Sequence, residues 1–171
     1  MAAGRVDDAI VVCRRMIDLD NYWFAHQLLG EAYLQKGMAS QAIPELEKAV
    51  ELRGGGDNAV VNIKGVLAKA YVIAGQPDRA RRIAADFEAQ AKTGNISAWG
   101  PIIAYLALGD HEHALAWLQQ SYERHGAMMM MLNQKMFDPL RSDPRFQDLV
   151  RRVGLPRKDQ SARTSADGSA R

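Results

Sequence analysis

A Gly followed five residues later by an Ala occurs four times in this chain, as Gly4…Ala9, Gly37…Ala42, Gly75…Ala80 and Gly109…Ala114. The glycines are 33, 38 and 34 residues apart, and in the last three copies a Tyr stands four residues before the Gly, as Tyr33, Tyr71 and Tyr105. Three residue types held in mutual register at a period near 34 constrain the fold strongly. A repeat of that length is one helix-turn-helix unit, which cannot bury its apolar face alone and must stack on its neighbours.

The apolar spacing supplies the helices. Over 22–35 the residues Phe24, Ala25, Leu28, Leu29, Ala32 and Tyr33 recur at three- and four-residue steps, which predicts an amphipathic helix ended by Gly37. A second period over 40–52 runs through Ala42, Ile43, Leu46, Ala49 and Val50, with Pro44 near its start where a missing N–H costs least. The Gly-rich run 53–58 then reads as a loop and accounts for the 38-residue step. Further helices are predicted over 60–74, 77–92 and 111–125. Ser97 is placed to cap the third pair, and Gly100-Pro101 is expected to delay a regular start until Pro101. Beyond the Met128-Met129-Met130-Met131 run, expected to fill gaps in a core, Asp143-Pro144 signals a short helix through Phe146, Leu149 and Val153. Residues 157–171 are small and polar and predict a disordered tail.

Charge excludes one class of partner. Of 22 Lys and Arg and 20 Asp and Glu, four bases and two acids follow Leu155, so the chain up to that point is balanced at 18 of each. Nucleic-acid binders cluster basic side chains along one face, and no such stripe is present, so no nucleic-acid partner is expected. No apolar run approaches the eighteen residues of a membrane span, and residues 1–8 lack the basic start and apolar stretch of a signal peptide. The single cysteine, Cys13, falls on an apolar helix face and suits an inert thiol in a reducing, cytoplasmic setting.

The unit Leu29-Gly30…Tyr33…Gly37…Ala42…Leu46…Ala49 resembles a tetratricopeptide repeat, with His26 where that family favours Trp and Gly54 where it favours Pro. Leu67-Ala68…Tyr71…Gly75…Ala80…Ala84 and Ile102…Tyr105…Gly109…Ala114…Leu118 are looser copies. The resemblance implies an all-α, right-handed superhelix of helix-turn-helix repeats with a C-terminal capping helix. The expected organisation is a partial repeat at 1–20, three repeats at 21–126, a cap at 127–156 and the tail at 157–171. The ending Phe137-Asp138-Pro139-Leu140-Arg141-Ser142-Asp143-Pro144-Arg145-Phe146 looks like the cap of bacterial tetratricopeptide regions in multidomain signalling proteins. Such regions often follow a Ser/Thr kinase or a winged-helix domain, which implies as an alternative a regulatory C-terminal segment acting by intramolecular contact. The first helix reads as the second half of a repeat, so Met1 is expected to be an internal start, a truncation or the beginning of a domain fragment. Ile10, Cys13 and Ile17 are expected to lack a partner helix and to favour self-association.

No catalytic set emerges. His111 and His113 are two residues apart, and on a helix that spacing points them about 200° apart, so they do not share a metal sphere. Gly54-Gly55-Gly56 lacks the Lys-Ser/Thr ending of a phosphate loop. No enzyme activity, cofactor or metal is expected, and what remains is a surface for a protein or peptide. In the resembled family the first helix of each pair lines a concave groove. The corresponding face here carries Phe24, Gln27, Glu31 and Gln35, then Asn62, Lys69 and Ile73, then Ile96, Trp99 and Ile103. Trp99 is the expected anchor and Lys69 a steering charge.

Overall fold

The computed structural model describes residues 2–94 and 96–154, and the expected tail at 157–171 lies outside them. The described chain runs α1 (Ala2–Leu19), α2 (Trp23–Gln35), α3 (Ala39–Arg53), α4 (Asn58–Ile73), α5 (Pro77–Thr93), α6 (Trp99–Leu108) and α7 (His111–Glu123). Two 3-10 turns follow, Ala127–Met131 and Lys135–Leu140, and then α8 (Pro144–Val153). No strand occurs among the described residues. By proximity along the backbone the described residues divide into two compact units, one ending at Ala114 and the other beginning at Leu115.

In the first unit the Tyr-to-Gly spacing is the geometry of a helix exit. Gly37, Gly75 and Gly109 have φ of 73°, 74° and 73°, a left-handed conformation that costs a side chain-bearing residue. The N–H after each glycine donates back to the tyrosine carbonyl: Met38 to Tyr33 at 2.9 Å, Gln76 to Tyr71 at 2.8 Å and Asp110 to Tyr105 at 2.9 Å. This six-residue closure fixes a four-residue interval between the carbonyl and the glycine.

The same tyrosines reach across to the preceding helix. Tyr33 Oη accepts from Arg14 of α1 at 2.7 Å, Tyr71 Oη donates to Glu47 of α3 at 2.6 Å, and Tyr105 Oη donates to Glu88 of α5 at 2.9 Å. Burial and then the glutamate hydrogen bond push the phenols of Tyr71 and Tyr105 well above their ordinary range, so both stay protonated donors. Each repeat tyrosine therefore closes its own helix and ties it to the one before.

Small residues let the helices approach. Ala42, Ala80 and Ala114 are fully buried. A Cβ on Gly30 would stand 2.6 Å from Leu46 Cγ, so α2 and α3 pack at a distance only glycine allows. The crossing of α4 and α6 is tighter still: a Cβ on Gly65 would collide with the backbone of Gly100, and one on Gly100 with the carbonyl of Val61. Gly100 is thus a packing residue. It corrects the expected delay in α6, which starts at Trp99 with Pro101 tolerated in its first turn. Ser97 Oγ accepts from Trp99 N at 3.3 Å, and the Ser97 N–H donates to Asn58 Oδ1 at 2.7 Å, joining the starts of α4 and α6. The Gly-rich run ends in order, since Asp57 caps α4 by accepting from Ala59 and Val60.

The reading of α1 needs correction as well. Ile10 and Cys13 are buried and Ile17 packs against the same core, because α2 covers that side of the helix. The uncovered side instead carries Ala9, Val12, Met16 and Leu19, with Val12 57% and Leu19 80% exposed. Ala9 is the one described repeat alanine that is exposed. Burial raises the Cys13 thiol above its usual range, which disfavours the thiolate.

The second unit packs by large side chains. Leu132, Phe137, Leu140, Phe146 and Leu149 are buried, and the Phe137 and Phe146 rings stack with centroids 5.8 Å apart. Met129 joins this interior whereas Met130 is exposed, so the methionine run fills a core only in part. Asp143 caps α8 by accepting from the Arg145 N–H at 2.8 Å, and hydrogen bonds from the Arg145 side chain and backbone hold its carboxyl down at about 2. At the end of α7, His125 takes the left-handed conformation with φ 54°, and the Gly126 N–H donates to Ser121 O at 2.8 Å. The glycine at 126 sits close to the same serine: a Cβ there would meet Ser121 Oγ, with Ser121 O at 3.1 Å.

Candidate binding surface

The first helices of the pairs, α2, α4 and α6, all lie in the first unit, where α4 packs against both of the others. On α2, Phe24 is 40% exposed, the Gln27 amide donates to Glu31 at 2.8 Å, and Gln35 is exposed one turn further. On α4, Lys69 is exposed and Ile73 is 49% exposed, whereas Asn62 turns a buried Oδ1 inward with no hydrogen-bond partner. Around α6, Ile96 and Trp99 are half-buried and Ile103 is buried. Ile103 is thus a core residue. The α6 sequence Trp99–Leu108 is apolar almost all round, so periodicity alone could not separate its outer face from its inner one.

Sequence reasoning missed the polar cluster at His26. Its buried ring meets acceptors at both nitrogens: Nδ1 lies 2.7 Å from Glu45 Oε2 and Nε2 lies 2.6 Å from Asn21 Oδ1. With a partner at each ring nitrogen the imidazole joins α2 to α3. The signal was the substitution itself, an imidazole at an aromatic position of the repeat.

His113, in the first turn of α7, also has structural partners. His113 donates its backbone N–H to Asp110, its Nδ1 lies 2.8 Å from the same carboxylate, and its ring stacks on Tyr105 at 4.8 Å. The Asp110 hydrogen bond raises the imidazole; burial pushes the Asp110 carboxyl up, but the bonds from His113 outweigh it and hold that carboxyl low. Among the described residues no three His, Cys, Asp or Glu side chains gather as a metal site would require. No described helix is long and apolar enough to cross a membrane.

Helical hairpins packed in series, each tied to its predecessor and offering an outer face of mixed character, define a helical-repeat protein. Two family models, both described as tetratricopeptide repeat, match the chain, one at residues 25–54 and the other at residues 64–86 and 102–120; the chain belongs to the tetratricopeptide repeat family. No curated protein and no solved structure matches it. Repeats of this family generally mediate protein–protein interaction and are typically non-catalytic. The matches concern the repeats alone and do not bear on a bacterial signalling context.

Proposed function

We propose that the face formed by Phe24, Gln27, Glu31 and Gln35 of α2, Asn62, Lys69 and Ile73 of α4, and Ile96 and Trp99 beside α6 binds an extended or helical segment of a protein partner. The observation that carries this reading is the exposure of two large apolar side chains, Phe24 and Ile73, on successive first helices whose stripes also carry Gln27, Glu31 and Lys69. Apolar anchors ringed by polar groups hold a disproportionate share of binding energy. Lys69 has no ion-pair partner among the described residues, and an exposed charge of this kind acts mainly on encounter. With a captured partner, the double variant Phe24→Ala and Ile73→Ala should lose about 2 kcal/mol of binding, while Lys69→Ala costs less and loses its effect at high salt. Circular dichroism checks that the variants are folded. Unchanged affinity in the double variant would remove this face as the binding surface.

The uncovered side of α1 supports a second, weaker contact. Val12, Met16 and Leu19 form one stripe on it, and an exposed apolar stripe favours association. Sedimentation should show concentration-dependent self-association that Val12→Glu abolishes. A clean monomer at high concentration would count against it.

A further inference from the structure

On the other side of α4 lies a small open cleft of about 290 Å³, lined by Val50 of α3, Lys64, Leu67 and Tyr71 of α4, and Arg79, Arg82 and Ile83 of α5. Lys64, Leu67 and Tyr71 are each two residues from a member of the Asn62, Lys69, Ile73 stripe, about 200° around the helix. The cleft is therefore separate from the face proposed above.

Its charge is uneven. Arg79 is held in place: its guanidinium lies 4.0 Å over the Tyr71 ring and donates to Glu47 at 2.8 Å, while Glu47 also accepts the Tyr71 hydroxyl at 2.6 Å. Glu47 offsets Arg79 and fixes its position. Neither Lys64 nor Arg82 has an ion-pair partner among the described residues, although the neighbouring charges are paired elsewhere, Lys48 with Glu51 and Arg81 with Asp78. An apolar floor of Val50, Leu67 and Ile83 is thus flanked by two uncompensated cations and a third held rigidly in place.

We propose that this cleft binds an acidic segment of a protein partner, seating one apolar side chain on the floor and placing adjacent Asp or Glu carboxylates against Lys64 and Arg82. The volume matches one or two side chains and is too small and open to enclose a metabolite. Three cations at one spot do not form the track that a nucleic-acid backbone needs for counterion release. The segment 157–171 of this chain carries four bases against two acids, so its charge does not complement the cleft. Arg79, already stacked and bridged, loses little side-chain freedom on binding and presents its remaining N–H groups at low entropic cost.

The test uses the synthetic peptide Asp-Leu-Glu-Asp-Leu-Glu-Asp and its amide counterpart Asn-Leu-Gln-Asn-Leu-Gln-Asn, titrated into ¹⁵N-labelled protein. The acidic peptide should shift the amides of residues 47–50, 64–71 and 79–83 and weaken as salt rises, while the amide peptide leaves them in place. Lys64→Glu with Arg82→Glu should weaken binding by at least about tenfold; Lys64→Gln with Arg82→Gln, which adds no repulsion, keeps the test open if charge reversal disturbs folding. The Phe24→Ala and Ile73→Ala variant should bind the acidic peptide as the wild type does, which separates this site from the face on α2 and α4. Equal binding of the two peptides, full affinity in the charge variants, shifts confined to the α2 and α4 face, or tighter binding of a single-stranded oligonucleotide would each overturn the proposal.

Discussion

The turns that close α2, α4 and α6 and the turn that closes α7 make the same hydrogen bonds with different residues. In the first three a glycine holds the left-handed position; after α7 it is His125, with φ 54°. The wider regions differ in the same sense. Residues 2–114 gain close packing by removing side chains, at Gly30, Gly65, Gly100 and the buried alanines, whereas residues 115–154 gain it by stacking Phe137 on Phe146 over Leu132, Leu140 and Leu149. The repeat signature is a record of where the backbone needs space or a positive φ. Where bulk fills the interior instead, the signature fades.

The largest effect should come from removing bulk. Phe146→Ala leaves a cavity beside Phe137 and should cost about 3–5 kcal/mol, with hydrogen exchange showing the lost protection concentrated within 115–154. Protection lost equally through 2–114 would break the distinction between the regions.

Adding bulk to the first region comes next. Gly65→Ala sets a methyl against the Gly100 backbone and should cost about 2–3 kcal/mol, read from urea unfolding. The same change at Gly56, which has open space around it, should leave the midpoint nearly unmoved. An insensitive Gly65 would mean that α4 and α6 can separate without penalty.

The smallest effect sharpens the comparison by reversing its sign. His125→Gly restores the residue type of the other three turns and should raise stability by about 1 kcal/mol, since a side chain in the left-handed region is strained. Ser121 and Gly126 stay as they are, so the hydrogen bonds do not change. A destabilised variant would show that the His125 side chain makes a contact worth more than the strain.

The sequence yielded the hairpins because their determinants are local. Tyr33, Tyr71 and Tyr105 stand at a fixed interval from their glycines, and one helix exit sets that interval. Reading failed where residues distant in the chain decide the outcome. Gly100 looked like a weak helix start because Val61, its reason for being glycine, is 39 residues away. Ile103 shared a helical stripe with Trp99, and stripe position does not reveal what covers a residue on an apolar helix. Ile10 and Cys13 belonged to a correctly placed helix but were assigned to its bare side, because α2 was not counted as their cover. The cleft left no pattern at all, since Lys64 and Arg82 meet only when α4 and α5 pack.

The tyrosine ties span only 19, 24 and 17 residues of sequence, which has a temporal meaning. As the chain emerges from a ribosome, Arg14, Glu47 and Glu88 are each already outside when the tyrosine that needs them arrives. Every hairpin then meets a finished docking partner behind it and waits for nothing ahead, so assembly proceeds from the N-terminal end with short loops to close at each step. Reversing the order of two hairpins in the gene would keep every local turn intact and yet pair each tyrosine with the wrong neighbour.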